Sequence, residues 1–136
     1  EIKKIEKTVQ KVTSILVLFG IIGLLFIVLG GKYILPIWGN EFTAGYYPLI
    51  ILSIGQFFSI AAGSVGLILT LCNEQKIWGY VTLGSAILNT ILNFFFIKLW
   101  GVNGAAIATS ITLVLMNIIG TMIIKKRLKI STIKFI

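Results

Sequence analysis

Charged residues divide this chain into long apolar runs. No charge falls between Val12 and Gly31, Phe42 and Asn73, Ile77 and Ile97, or Leu99 and Ile124, runs of 20, 32, 21 and 26 residues. A hydrocarbon layer of about 30 Å is crossed by about 20 helical residues. Each run therefore predicts a transmembrane helix, over about 12–30, 47–71, 77–97 and 101–124. Barrel strands would show alternating polarity over about ten residues at a time, and no such segment is present. The expected fold class is all-α, a polytopic bundle of four transmembrane helices forming one region over 1–136.

The polar residues inside the runs predict how the helices pack. In the second run Gln56, Ser59, Gly63, Gly66 and Thr70 recur at spacings of three and four, which places them on one helical stripe. Ser85, Asn89 and Asn93 in the third lie four apart on one face. An amide left unpaired in hydrocarbon costs several kcal/mol, so this face must meet another helix or a wet cavity. Gly104, Ala108 and Thr112 repeat every fourth residue in the last run, a small-residue seam that lets helices approach closely. Gly101, Gly63 and Gly66 are expected to serve packing in the same way, and Asn117 adds polarity further along. The first helix is expected to end near Gly30 and Gly31, and Pro48 to sit in an opening turn, where its missing N–H costs little.

Composition and charge add direction. Apolar residues make up 57% of the chain, its mean hydropathy is +1.04 and its formal charge is +8. With four spans, Lys3, Lys4, Lys7, Lys11, Lys76, Lys125, Lys126, Arg127, Lys129 and Lys134 share one side and only Lys32 and Lys98 the other. Basic residues concentrate in cytoplasmic loops, so both ends are expected in the cytoplasm. The positive charge then reflects topology and implies no nucleic-acid partner. Ile2, Ile5, Val9 and Val12 fall at helical spacing before the first span and read as an interfacial lead-in.

Catalytic chemistry is poorly served. The chain has no His, no Asp and a single cysteine, Cys72, while Glu41 and Glu74 lie at span ends. Nucleophilic triads, His-based metal sites and paired carboxylates all lack their parts. The expectation is a non-enzyme without metal or cofactor. The chain starts at Glu1 and contains no hydrophilic domain, so it reads as a piece of a longer polytopic protein.

Several segments together resemble a known family. They are Trp38-Gly39-Asn40-Glu41-Phe42, Leu71-Cys72-Asn73-Glu74-Gln75-Lys76, the Asn89 and Asn93 pair, and Gly101-Val102-Asn103-Gly104-Ala105-Ala106-Ile107-Ala108-Thr109. Over about residues 15–125 the chain is similar to the carboxy-terminal lobe of polysaccharide-biosynthesis membrane proteins. These are oligosaccharide-lipid flippases of the multidrug, oligosaccharidyl-lipid and polysaccharide exporter superfamily. The resemblance implies a multi-pass carrier of 12 to 14 helices in the cytoplasmic membrane. Its substrate would be a lipid-linked oligosaccharide moved by alternating access, and its partners membrane lipid and the remaining helices of the parent protein.

Polarity and spacing, not the family pattern, make Gln56, Ser85, Asn89, Asn93, Thr109 and Asn117 the candidates for lining a substrate cavity. The chain departs from the family in having no charge inside a span, where such carriers commonly place cations for phosphate. A drug or metabolite exporter of the same superfamily and a non-transporting helical subunit are the alternative readings.

Overall fold

A computed structural model of the chain describes residues 2–128, with side chains from Glu6 onward. Lys129, Lys134 and the side chains of Ile2, Lys3, Lys4 and Ile5 lie outside the described residues. The described chain is helical throughout: α1 (Ile2–Ile34), two short 3-10 turns (Leu35–Trp38 and Asn40–Gly45), α2 (Tyr46–Ala61), α3 (Val65–Leu71) and α4 (Gln75–Leu128). Three helical stretches, Glu6–Trp38, Asn40–Leu71 and Gln75–Leu128, are long and apolar enough to cross a membrane.

The first helix runs beyond its expected end. It passes through Gly30 and Gly31 and continues to Ile34, because unpaired backbone groups are costly in hydrocarbon and glycine there still makes helical bonds. The helix then gives way to the 3-10 turn Leu35–Trp38, where Pro36 stands at an opening position and its missing N–H costs little. Pro48 lies in the first turn of α2, as its missing N–H requires.

The second apolar run is broken where a continuous helix over 47–71 was expected. At Gly63 φ is +84°, and the chain leaves the helix through bonds from Ala62 N to Phe58 O (3.0 Å) and Gly63 N to Ile60 O (3.0 Å). The expected stripe is thereby interrupted, with Gln56 and Ser59 on α2 and Gly66 and Thr70 on α3. After α3, Asn73 adopts φ +64°; Glu74 N bonds Leu69 O (2.8 Å) and Asn73 N bonds Thr70 O (3.2 Å), the paired bonds of a Schellman cap.

The 54-residue stretch α4 is interrupted at Gly101, whose φ of 57° and ψ of −133° are non-helical. Asn89 Nδ2 lies 3.4 Å from Thr109 Oγ1 and 3.1 Å from Thr112 Oγ1. Along a straight helix residues 20 apart would be separated by about 30 Å, so the chain folds back at Gly101 and arms 75–100 and 102–128 lie side by side.

The second arm is the most enclosed part of the bundle, burying Gly104, Ala106, Ala108, Thr112, Asn117, Gly120 and Ile124. It packs against the first arm, α2 and α3. At one end Val65, Ile68, Leu69 and Ile124 form a buried cluster, joined by Val9 of α1 and Trp78 of the first arm. By contrast α1 covers little of the bundle, with Phe19 at 67% and Leu29 at 70% exposure. Such surface is tolerable only against lipid or further protein. At the opposite end Lys32 Nζ sits 5.3 Å from the Tyr46 ring and Lys98 Nζ 4.0 Å from that of Phe94. Exposed Tyr33 and Trp38 belong to this end as well, the amphipathic composition of a membrane boundary.

Candidate functional site

Polar chemistry inside the bundle is concentrated on the two arms of α4 and the facing side of α2. Ser85, Asn89 and Asn93 occupy successive turns of the first arm and are all half-buried. Asn89 donates across to Thr109 and Thr112 on the second arm. Asn93 donates along its own helix, from Nδ2 to Asn89 Oδ1 (2.8 Å) and to Asn89 O (2.9 Å). The result is a chain of bonds Asn93–Asn89–Thr109/Thr112 in which the Asn89 amide bridges the arms, while the Asn93 side-chain oxygen Oδ1 accepts nothing among the described residues. The Ser85 hydroxyl makes no hydrogen bond among them.

The close approach of the arms depends on small residues. A Cβ placed on Gly104 would collide with the Phe96 backbone carbonyl, and Ala108 is completely buried. Thr112 is 4% exposed, and its hydroxyl, besides accepting from Asn89, is directed to Ala108 O (3.0 Å) and Thr109 O (2.9 Å). Gly101 supplies the reversal.

A second polar seam joins α2 to the second arm. Asn117 is 6% exposed and donates to Ser59 Oγ (3.0 Å) and Leu113 O (2.8 Å). Nearer the other end Ser110 Oγ donates to Ile51 O (2.8 Å), and a Cβ on Gly55 would come within 2.8 Å of the Ser110 backbone. The contact between Gly55 and Ser110 is not announced by any spacing, because its partners belong to different helices. Small residue type is the only signal the sequence offers for it.

Gln56 belongs to neither seam. It is exposed and lines an apolar groove of about 460 Å³ between α1 and α2, with Leu16, Phe19 and Gly20 opposite. Asn89, Asn93 and Thr109 are thus brought together, Ser85 adjoins them one turn away, and Asn117 and Gln56 face other surfaces. Gly66 packs on Trp78, whose Nε1 would lie 2.8 Å from a Cβ there. Gly63 stands in the break between α2 and α3.

One ion pair was not legible from spacing. Arg127 Nη1 donates to both carboxylate oxygens of Glu74, at 3.0 and 3.2 Å. It ties the turn after α3 to the end of the second arm. No three His, Cys, Asp or Glu side chains among the described residues are grouped to hold a metal.

This arrangement supports packing and neutral hydrogen bonding inside a membrane bundle. It offers amides and hydroxyls suited to hydroxyl-rich solutes, and no acid or base within the seams. No protein-family model matches the chain, and no solved structure does. The chain is similar to a probable low-salt glycan biosynthesis flippase of Haloferax volcanii, 34% identical over 76 residues. That match spans 56% of this chain but only 16% of the relative, so the chain corresponds to a small part of the protein it matches.

Proposed function

We propose that the chain is part of a membrane carrier that moves a lipid-linked oligosaccharide across the cytoplasmic membrane by alternating access. In this reading the arms of α4 are two separate passes, the chain contributes four helices to the carboxy-terminal lobe of a larger transporter, and both its ends face the cytoplasm. The observation that carries the reading is the similarity to a glycan flippase in a chain whose helices are apolar enough to span a bilayer.

The role of the residues follows from their bonding. Asn93 and Ser85 keep unused hydrogen-bonding capacity on the half-buried face of the first arm, and in the carrier they would meet sugar hydroxyls. Asn89 and Thr109 would hold that face in place through their mutual bond. Transporters of this general kind bind substrate near the bilayer midplane, between helices that rock against each other. A phosphate-binding cation would come from helices outside this chain.

The test is glycan export by the full-length protein carrying Asn93→Leu. Export of lipid-linked sugar should fall severalfold while membrane abundance stays normal. Normal export at normal abundance would reject the cavity role. Loss of an unrelated drug-resistance phenotype, with glycan export intact, would point instead to an exporter of small molecules.

A further inference from the structure

A second apolar groove, also about 460 Å³, lies between the end of α2 and the second arm of α4. Phe58 and Ala62 form one wall, Ile118 and Met122 the other, with Asn117 at depth and Lys125 at one end. Its neutral hydrogen-bond donors are already engaged within the bundle. The Asn117 amide donates to Ser59 and Leu113, and its backbone carbonyl accepts from Thr121 at 2.8 Å. The groove therefore presents hydrocarbon walls and a single unanswered charge.

That charge is free for a ligand. Of the terminal Lys125, Lys126 and Arg127, the arginine is engaged by Glu74, while Lys125 has no acidic partner among the described residues. Along the second arm the lining runs from Val114 to Lys125, which at 1.5 Å per residue is about 16 Å. This is about half of the roughly 30 Å hydrocarbon thickness, the depth of one leaflet. A long-chain lipid with its headgroup at Lys125 would lay its tail along Met122 and Ile118.

From this match of length, apolarity and charge we propose that the groove binds one anionic phospholipid from the leaflet at the Lys125 end, with its phosphate on the ammonium group. Lysine beside an anionic headgroup adds a favourable increment of about fivefold in affinity. The inference requires only that the chain lies in a bilayer, and it is independent of what the carrier moves.

The protein at its full natural length, in detergent, is titrated with dioleoyl-phosphatidylglycerol or dioleoyl-phosphatidylcholine, and bound lipid is measured by native mass spectrometry. Phosphatidylglycerol should bind more tightly, Lys125→Gln should weaken it about fivefold, and Lys125→Arg should restore it. Ala62→Phe, which fills the groove, should reduce occupancy by both lipids, whereas Lys32→Gln at the opposite end should leave them unchanged. Equal affinity for the two lipids, or an unchanged affinity in Lys125→Gln, overturns the proposal. So does cross-linking of Ile118→Cys to another helix of the same protein together with unaltered lipid binding in Ala62→Phe, which would identify a helix as the occupant.

Discussion

Asn89 donates its amide across the hairpin of α4 to Thr109 and Thr112, whereas Asn93 donates only along its own helix. Replacing them should therefore have different consequences. Asn89→Leu removes the amide that bridges the arms and leaves the Thr109 hydroxyl without its partner, while Thr112 keeps its own bonds to Ala108 O and Thr109 O, so it should lower stability by about 0.5–2 kcal/mol. Asn93→Leu should leave stability nearly unchanged, and thermal unfolding in detergent separates the two outcomes. The Asn117 and Ser59 contact has a cleaner test, because the pair spans two helices and is buried on the amide side. A double-mutant cycle with Asn117→Leu and Ser59→Ala should give a coupling of about 0.6 kcal/mol, and zero coupling would show that the bond contributes only geometry. The even spacing of Ser85, Asn89 and Asn93 makes their shared face legible in the sequence. Which of them bonds across the bundle is not, because that depends on where the second arm lies.

At the scale of the element, glycine decides where helices stop and how closely they meet. Gly101 sits at φ 57° and ψ −133°, a conformation that side chains rarely adopt. Gly101→Ala should cost about 1–3 kcal/mol through backbone strain, with no new contact introduced. Gly104→Leu acts differently, by forcing bulk into the Phe96 carbonyl, and should reduce the yield of folded protein by separating the arms. Unchanged thermal stability in both variants would contradict the hairpin. The small-residue repeat Gly104, Ala108, Thr112 announces a seam in the sequence. The break at Gly63 was not legible there, since an isolated glycine in an apolar run is equally compatible with a continuous helix and with a turn.

For the whole molecule, the two ends of the bundle carry different chemistry. Glu74, Arg127 and the cluster around Leu69 and Ile124 lie at one end, while Lys32, Lys98 and the aromatic turns lie at the other. If the positive-inside bias governs insertion, a cysteine at Trp38 in a Cys72→Ser background should be labelled by an impermeant reagent only from outside. Labelling from the cytoplasmic side alone would invert the topology. The Glu74–Arg127 pair is a poor source of stability by comparison, because Arg127 is 53% exposed and exposed pairs contribute about 0–1 kcal/mol. Its effect is to keep the turn after α3 beside the end of the second arm.

The sequence by itself determined that the chain is helical and apolar enough to span a bilayer, because a backbone in hydrocarbon must bond within its own segment and charges are confined to segment ends. It also determined which positions are small and which polar faces need a partner. Tertiary structure alone decided how those needs are met. Asn117 finds Ser59, Ser110 finds Ile51, and Glu74 finds Arg127, across separations of 58, 59 and 53 residues. Periodicity along one helix specifies a face but carries no information about which distant helix will cover it. Only the packed bundle supplies that, together with the charged groove left at the Lys125 end.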